Sequence, residues 1–275
     1  MDDIAHSPHA ERARFTYSAA ADHYDLPTLS FWNRFGEETA RRIPVCPGDR
    51  VVDLCCGSGA SALAAARASG SGGHVIGMDV ADGLLRLARD KASRHGLDNV
   101  EFVHHDATDT GLPDASADVV ICVFGVFFAP DQAAFVSEMW RLVAPGGALV
   151  ITTWGPGVFE PANSHFWEAV NEVEPSLYKA FNPWDALTSP DALAGLFASA
   201  GTAPPTISFV AGRHRLTDPA DFWHVVMGSG YRGTVDALDP SAQARLHRLV
   251  DERLAAEQVL DIGVDVIYAV AHKPR

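Results

Sequence analysis

The chain has 275 residues, 47% of them apolar, so it is long enough to bury a substantial core in one domain or in one and a half. It carries 21 lysine and arginine residues against 35 acidic ones, and the formal charge of −14 disfavours nucleic-acid binding, which draws its affinity from clustered basic side chains. The segment Met1–His6 lacks the basic flank of a signal peptide, and no uncharged apolar run approaches the roughly 20 residues of a membrane span, so we expect a cytoplasmic protein.

Residues 1–49 precede the first predicted strand and are rich in aromatic side chains. These rings are Phe15, Tyr17, Tyr24, Phe31, Trp32 and Phe35. They can pack as helices over the mouth of a ligand site or simply cover the sheet, and both uses suit large aromatic side chains. We treat residues 1–49 as a helical cap and include Tyr17 and Tyr24 among the candidate cofactor-binding residues.

Between residues 50 and 153, short apolar runs alternate with helical patterns. The predicted strands are Arg50–Leu54, His74–Asp79, Val100–His104, Val119–Phe124 and Ala148–Thr153, and the predicted helices are Ala60–Ser69, Asp82–His95 and Gln132–Val143. This alternation is typical of crossover units on a parallel sheet, and strands that are apolar throughout indicate a sheet covered by helices on both faces. Pro145-Gly146-Gly147 predicts a tight break between the last helix and the strand after it.

After residue 153 the alternation gives way to irregular segments rich in Gly, Pro, Trp and Phe. We predict two insertions that roof a pocket, at about 154–190 and 212–239. Between and after them the core resumes with a helix near Asp191–Ala200, a strand near Thr206–Val210, a helix at Ser241–Gln258 and a strand at Val264–Val270. The expected organisation is therefore a cap over residues 1–49 and one α/β domain over 50–275.

The stretch Val51–Ala60, with the sequence VVDLCCGSGA, runs from an apolar strand into a glycine turn. Gly57 and Gly59 permit a tight turn and a close approach of the backbone to a ligand. The helix that follows begins with free N–H groups, which attract a carboxylate or a phosphate. This combination indicates a cofactor that carries a nucleoside, without specifying which one.

Three acids follow three successive strands: Asp53, Asp79 and Asp106. Ligands of open parallel sheets bind outside these carboxyl ends, and Asp79 has the spacing from Gly59 of a carboxylate that accepts both hydroxyls of a ribose. The segment Gly57–Ala62 also matches the dinucleotide pattern, which leaves an NAD-linked oxidoreductase open. A carboxylate at Asp53 that faces the turn would repel a pyrophosphate and balance a methionyl ammonium, so the residues favour S-adenosylmethionine.

Several motifs resemble the class I S-adenosylmethionine-dependent methyltransferases. They are Val51–Ala60, Gly77-Met78-Asp79, His105-Asp106-Ala107 and Asp118–Phe124, together with Tyr24-Asp25, Pro113–Asp118 and Arg141–Gly147, which resemble the branch that contains ubiquinone and menaquinone methyltransferases. The resemblance covers residues 50–153 and extends more loosely to the end. It implies a Rossmann-like, seven-stranded, mostly parallel α/β sheet with helices on both faces and an inserted lid. The family usually has glycine where Cys55 stands, a departure that concerns the shape of the turn more than the cofactor.

The resemblance also implies which residues hold each part of S-adenosylmethionine. It assigns the methionyl end to Asp53, Gly57 and Gly59, the ribose to Asp79, the adenine to Asp106 and the Ala107 amide, and the sulfonium to Phe124. No metal is expected, because the adjacent His104 and His105 point to opposite faces at a strand end and cannot easily share one ion.

Methyl transfer requires the acceptor to reach the methyl carbon in line, at about 3–3.5 Å, in a site that excludes water. A hydroxyl acceptor also needs a general base. The candidates on the roof are His165, Glu160 and His224, followed by Glu168 and Tyr231. His165 comes first because an imidazole accepts a proton at neutral pH, whereas an amine or a carboxylate acceptor would need no base.

The roof is dense in aromatic side chains, which indicates an apolar or aromatic small acceptor unless the rings only pack the inserted segments together. They are Phe159, Phe166, Trp167, Tyr178, Phe181, Trp184, Phe222, Trp223 and Tyr231. We therefore expect O- or C-methylation of a hydrophobic acceptor, quinone-like or a secondary metabolite. N-methylation, carboxylate esterification and a donor-binding sensor without transfer remain alternatives, and the sequence leaves both a monomer and a homodimer open.

Overall fold

A computed structural model of the chain describes residues 8–43 and 45–275. The features that the sequence assigned to Met1–His6 lie outside the described residues. The strands in the described part are β1 (Arg50–Leu54), β2 (His74–Asp79), β3 (Val100–His104), β4 (Ala117–Val123), β5 (Val143–Trp154), β6 (Thr206–Val210), β7 (Arg213–Arg215), β8 (Asp261–Gly263) and β9 (Val266–His272).

Seven of these strands form one sheet in the order β3-β2-β1-β4-β5-β9-β6. The neighbouring pairs from β3 to β5 are parallel, and β9 runs antiparallel to both β5 and β6. The small strands β7 and β8 pair with each other outside this sheet. The predicted seven-stranded, mostly parallel sheet is thus confirmed.

The helices surround the sheet and extend over its carboxyl edge. They are α1 (Pro8–Tyr24), α2 (Phe31–Arg42), α3 (Ala60–Ser69), α4 (Asp82–Arg94), α5 (Gln132–Leu142), α6 (Ala162–Val173), α7 (Pro190–Ser199), α8 (Phe222–Met227), α9 (Arg232–Val235) and α10 (Pro240–Ala256). The N-terminal helices belong to the same body, because α1 packs on α4 and α9 while α2 packs on α3. None of the helices in the described residues is long and apolar enough to cross a membrane.

The sheet is buried on both faces, because alternate residues of its central strands enter different apolar clusters. Val52 of β1 packs in the larger cluster, which includes Phe135 of α5. Val51 packs in the other cluster, with Leu63 of α3 and Leu85 of α4. With both faces covered, the carboxyl ends of the strands are the place where the sheet can meet a ligand.

Most predicted boundaries in the first half of the chain are confirmed, since β1, β2, β3 and α3 begin and end where the sequence placed them. The predicted break at Pro145–Gly147 is wrong. Helix α5 ends at Leu142 and β5 begins at the next residue, so the three break residues belong to the strand. Gly146 adopts a left-handed conformation within the strand, with a φ of +85°. The pairing of β4 with β5 shifts register between Ala117 and Val119.

The two predicted roof segments contain more regular structure than their composition suggested. Residues 154–190 include α6, and residues 212–239 include β7, α8 and α9. The segments pack together through Phe166 and Tyr231, whose rings stack with centroids 4.8 Å apart. The Tyr231 hydroxyl also donates a hydrogen bond to Asn163 Oδ1 at 2.6 Å. Part of the roof's aromatic content therefore joins the two segments to each other.

Two helical glycines provide a test of how closely α1 approaches α4. A Cβ on Gly83 of α4 would lie 2.5 Å from the Ser18 carbonyl oxygen and 2.9 Å from the Ala21 Cβ, whereas a Cβ on Gly195 of α7 would meet nothing within 4 Å. We expect Gly83→Ala to lower the free energy of unfolding by about 1–3 kcal/mol, because the helices must move apart. Gly195→Ala should raise it by about 0.5–1 kcal/mol through helix propensity. Urea denaturation measures both effects, and a stabilising Gly83→Ala would contradict the close crossing.

Candidate functional site

An open cavity of about 1050 Å³ lies at the carboxyl ends of β1, β2 and β4. The N-terminal segment, these strand ends and both roof segments all contribute to its lining. The lining includes seven of the predicted cofactor-binding residues, namely Tyr17, Tyr24, Gly57, Asp79, Asp106, Ala107 and Phe124. The structure thus brings together residues that are more than 100 positions apart in the sequence, and it leaves Asp53 and Gly59 outside the lining.

The Asp79 carboxylate joins the glycine turn to the end of β2. Its Oδ2 accepts a hydrogen bond from the Gly57 amide at 2.8 Å, and its Oδ1 accepts one from the Ala81 amide at 2.8 Å. Burial raises the pKa of Asp79, and these backbone donors act against that rise. Each carboxylate oxygen has further lone pairs, so a cavity-lining carboxylate held in this way can accept the hydroxyl protons of a ribose.

Asp106 lies just beyond β3 and forms a local turn. Its Oδ1 accepts hydrogen bonds from the Thr108 amide at 2.9 Å and from the Thr108 hydroxyl at 2.7 Å. The neighbouring His105 also lines the cavity, with its Nδ1 3.1 Å from the Asp106 carbonyl oxygen. The turn presents a carboxylate and the Ala107 backbone at the same end of the cavity, an arrangement that can meet the polar edge of a base.

Asp53 does not face the cavity, which corrects the expectation that its charge meets the ligand. Side chains alternate along β1, so Asp53 lies on the same face as Val51 and is fully buried. Its Oδ2 accepts a hydrogen bond from the Ser61 hydroxyl at 2.6 Å, and the carboxylate also accepts one from the Ala62 amide. Burial raises the pKa of Asp53 to about 7 despite these two bonds. The carboxyl group thus caps the first turn of α3 from the protein interior.

Gly59 also lies outside the cavity lining, and it contributes to the shape of the turn. Its φ is +83°, a left-handed conformation that favours glycine. A Cβ on Gly59 would lie 3.0 Å from the Phe102 ring and 3.1 Å from the Ala88 Cβ. The residue therefore allows α3 to start close to β3 and α4, and this packing explains its place in the motif.

Cys55 stands where the family has glycine, and its φ of +58° explains that preference. The side chain fits because residue 125 is a glycine: a Cβ on Gly125 would lie only 2.4 Å from the Cys55 Cβ. The thiols of Cys55 and Cys122 are hydrogen-bonded, and this bond together with burial raises the pKa of Cys55. Cys55 thus replaces a glycine in the turn, and Gly125, just after β4, leaves the space that its side chain needs.

A wall of aromatic rings runs from the glycine turn to the roof. Phe124 and Trp154 are stacked with centroids 3.9 Å apart, and Trp32 meets both edge-on at 5.8 and 5.6 Å. Tyr24 stacks on Trp32 at 5.2 Å, and Phe159 meets Trp154 at 5.4 Å. All five side chains line the cavity. Interlocked rings of this kind hold one another in fixed orientations and make a rigid apolar surface.

None of the predicted general bases is among the described residues that line the cavity. His165 projects from α6 with its Nε2 3.1 Å from Glu257 Oε2, and Glu160 accepts hydrogen bonds from Asn163 and Ser164. His224 has its ring 5.9 Å from that of His23. The further candidates Glu168 and Tyr231 are also outside the lining. Tertiary packing directs these side chains away from the cavity, so the roof provides no proton acceptor from this set.

Sequence reasoning missed several residues that the cavity uses. Val80 and Leu84 line the end near Asp79, and Ser229 and Gly230 line the roof end. Val80 directly follows the acid at the end of β2, and Leu84 lies in the first turn of the next helix. The positions of Val80 and Leu84 relative to Asp79 could have been inferred from the sequence. The approach of residues 229 and 230 to the cavity depends instead on how the roof folds over it.

The lining fits a nucleoside donor that has no phosphate. No lysine or arginine is among the described residues that line the cavity, so a pyrophosphate would meet Asp79 and Asp106 without a compensating cation. The Ala62 amide at the start of α3, where helix N-termini bind phosphate, already donates to Asp53. The described residues also contain no group of three or more His, Cys, Asp or Glu side chains that could hold a metal ion.

Comparison with known sequences identifies relatives of the α/β core. A family model described as a methyltransferase domain matches residues 51–147. The demethylmenaquinone methyltransferase of Geobacillus kaustophilus (strain HTA426) is 34% identical over 159 residues, which cover 56% of this chain and 68% of that protein. Its counterpart in Listeria monocytogenes serotype 4a is 35% identical over 126 residues, or 46% of this chain and 53% of that one. The chain spans about half to two thirds of the length of these curated relatives.

Comparison with solved structures identifies the same fold over nearly the whole chain. Phosphoethanolamine N-methyltransferase 2 of Haemonchus contortus, solved with phosphomonomethylethanolamine and S-adenosylhomocysteine, has a TM-score of 0.60 at 17% identity, covering 98% of this chain and 61% of that one. The [4+2]-cyclase SpnF has a TM-score of 0.59 at 18% identity, covering 100% and 99%. At these identities the likeness shows the fold alone, and a fold that includes a cyclase does not specify one reaction.

The position of Asp53 makes stability depend on pH in a defined direction. Its pKa of about 7 lies above the ordinary value of 3.8, so between these values the folded chain holds a proton that the unfolded chain has lost. The free energy of unfolding therefore falls as the pH rises towards 7. We expect Asp53→Asn to remove this dependence, so that the variant gains about 3 kcal/mol relative to the natural chain between pH 5 and pH 7.5. Urea denaturation at several pH values measures the gain, and parallel curves for the two proteins would contradict it.

Proposed function

Because the chain belongs to the class I S-adenosylmethionine-dependent methyltransferases, we propose that it transfers the donor's methyl group to a ring carbon or a hydroxyl oxygen of an apolar, quinone-like aromatic molecule. The observation that carries this proposal is the division of the cavity into two chemically different ends. The strand ends contribute carboxylates and turn backbone, and the chain from residue 154 onward contributes the rings Trp154, Phe159 and Trp184. The first end suits a polar donor, and the second suits an apolar acceptor.

The donor end has a group for each polar part of S-adenosylmethionine, which supplies a methyl group already activated as a sulfonium. We assign the ribose hydroxyls to the Asp79 carboxylate and the adenine to Asp106 with the Ala107 amide. The methionyl end is assigned to the turn at Gly57, beneath Tyr24. These residues bind and orient the donor, and no covalent bond to the protein is required because the acceptor attacks the methyl carbon directly.

The acceptor end is lined by Trp154, Phe159, Trp184 and Ser229, and its described residues include no charged side chain. A carboxylate acceptor would be buried there without a cation, and an ammonium group without a carboxylate, at a considerable cost in desolvation. A flat aromatic acceptor can instead stack on the rings and displace water from them. Its orientation by the rings meets the main requirement of methyl transfer, which is alignment.

A ring carbon is the acceptor atom that this end of the cavity favours. A neutral hydroxyl must lose its proton as the new oxygen–carbon bond forms, and His165, Glu160 and His224 lie outside the described lining. A carbon of an electron-rich ring loses its proton only after the new carbon–carbon bond has formed, so the proton can leave to solvent through the open cavity once transfer is complete. O-methylation is the second candidate, for an acceptor whose hydroxyl is already ionised when it binds.

The sequence relatives support a quinone-like acceptor by their name, demethylmenaquinone methyltransferase. Their support is strongest for the donor half, because the matched domain ends at residue 147. The rings Trp154, Phe159 and Trp184 follow that point in the sequence. The acceptor class therefore depends on the chemistry of these rings as much as on the relatives.

Asp79 provides the first test of the donor end. We expect Asp79→Ala to weaken the affinity for S-adenosylhomocysteine by about ten- to a hundredfold, because two charged hydrogen bonds to the ribose are lost. Isothermal titration calorimetry measures this change. Asp90→Ala is the matched control, since Asp90 is an exposed acid on α4 and should leave the affinity unchanged. Equal affinity of Asp79→Ala and the natural chain would remove Asp79 from the site.

The acceptor class is tested with S-adenosylmethionine labelled in its methyl group and a panel of acceptors. The panel contains a reduced naphthoquinone without a methyl group, a phenol, an amine and a carboxylic acid of similar size. We expect label in the quinol product, with carbon–methyl signals in its nuclear magnetic resonance spectrum. Oxygen–methyl signals would favour the second candidate, and transfer only to the amine or the acid would overturn the proposal.

Two further outcomes separate the remaining alternatives. Tight binding of S-adenosylmethionine without transfer to any molecule of a broad metabolite extract would favour a donor-binding sensor. Binding of NAD without binding of S-adenosylmethionine would overturn the donor assignment as well. Calorimetry with both cofactors, carried out before the acceptor panel, distinguishes these cases.

A further inference from the structure

Lys91 forms a partly buried polar network outside the lining of the main cavity. It projects from α4 with only 12% of its side chain exposed. Its Nζ donates to Asp25 Oδ1 at 2.7 Å, to Ser58 Oγ at 2.8 Å and to Asn33 Oδ1 at 3.3 Å. The Ser58 hydroxyl in turn lies 3.3 Å from Asp25 Oδ1. One ammonium group thus connects the glycine turn to two points of the N-terminal segment.

Each N-terminal partner of Lys91 is the sequence neighbour of a cavity-lining ring. Asp25 follows Tyr24, and Asn33 follows Trp32; the two rings are stacked at 5.2 Å with an angle of 3° between their planes. The Tyr24 hydroxyl lies above the glycine turn, 3.4 Å from the position of a Cβ on Gly57. Fixing Asp25 and Asn33 therefore fixes both rings over the turn.

The same residues enclose a second, smaller cavity beside the turn. Its volume is about 330 Å³, and Tyr24, Trp32, Gly57 and Ser58 are among its lining residues. This space adjoins the main cavity, because Tyr24, Trp32 and Gly57 line both. It is at the end of the site that we assign to the methionyl group of the donor.

The ammonium is the shielded part of this network, since 12% of the Lys91 side chain but 27% of the Asp25 side chain is exposed. Burial lowers the pKa of Lys91, and the hydrogen bond to Asp25 acts in the opposite direction. Removing the Asp25 carboxylate leaves the largely buried ammonium without its compensating charge, which costs more than the loss of a fully exposed pair. Among the described residues, Asp25 is the acidic side chain that bonds to the Lys91 ammonium, so removing the ammonium acts first on Asp25.

We propose that Lys91 is a positioning residue for the methyl donor: by holding Asp25 and Asn33 against Ser58, it keeps Tyr24 and Trp32 closed over the methionyl end of the cofactor site. Lys91 acts through these residues and does not touch the donor. The inference rests on the proposed function, because it requires that S-adenosylmethionine binds beside Gly57.

The test compares Lys91→Met with the natural chain. We expect the Kd for S-adenosylhomocysteine and the KM for S-adenosylmethionine to rise about tenfold, because part of the binding free energy is then used to order the N-terminal segment. Once the donor is bound the segment is ordered in both proteins, so kcat at saturating donor should change by less than twofold. Hydrogen exchange measured by mass spectrometry should become faster in residues 18–35 and stay unchanged in β1 and β4. Arg94→Met is the control, since Arg94 is the last residue of the same helix and its side chain donates to the Asp90 carbonyl oxygen instead of to the network.

A double-variant cycle makes the test specific for the ion pair. Asp25→Asn should weaken binding in the same way, and the double variant Asp25→Asn/Lys91→Met should bind no more weakly than Lys91→Met alone, because the second change has no partner left to disturb. Asp25→Asn keeps the shape of the side chain and serves alone if Lys91→Met does not fold. Unchanged affinity, strictly additive losses or a uniform increase in exchange across the sheet would overturn the inference. Failure of the natural chain itself to bind S-adenosylhomocysteine would overturn the proposed function, and this inference with it.

Discussion

The hydrogen bond from the Gly57 amide to the Asp79 carboxylate is the interaction on which the site depends. It ties the turn after β1 to the end of β2 at 2.8 Å, and the second oxygen of the same carboxylate receives the Ala81 amide at the start of α4. One half-buried acid thus fixes the turn, presents acceptors to the cavity and sets where α4 begins. Because α4 carries Lys91, whose ammonium reaches Asp25, the order of the N-terminal segment depends on the same geometry.

The aromatic end of the cavity is held by a different means. Cys55, Phe124 and Phe159 all have φ between +52° and +59°, a conformation that costs side-chain-bearing residues on the order of 1–3 kcal/mol each and persists only where the surroundings enforce it. All three line the cavity. The left-handed backbone at the end of β4 lets the Phe124 ring stack on Trp154. Around the cavity, left-handed backbone thus occurs both in the glycine turn, at Cys55, and among the packed rings, at Phe124 and Phe159.

The parts that local sequence determines were predictable. Strands β1, β2 and β3, the helix α3 and the acids at the strand ends follow from period and spacing, and these elements form the donor half. The face of the sheet on which the Asp53 side chain lies could also be predicted, because side chains alternate along a strand and Asp53 therefore lies with Val51 beneath α3. The direction of His165 was not, since its partner Glu257 lies 92 residues away. Its orientation depends on how α6 packs against α10, which no local pattern specifies.

The two halves of the cavity also differ in how freely they can change. The donor end is built from backbone amides and from carboxylates that those amides hold, so most substitutions there disturb the sheet edge itself. The acceptor end is built from rings on segments outside the strands β1 to β4, and Trp184 or Ser229 can be replaced without altering a strand. The same fold occurs in a phosphoethanolamine N-methyltransferase and in a [4+2]-cyclase, so the fold by itself does not specify an acceptor. In this chain the strand ends therefore carry the assignment of the donor, whereas the proposed acceptor class depends on the rings of the roof.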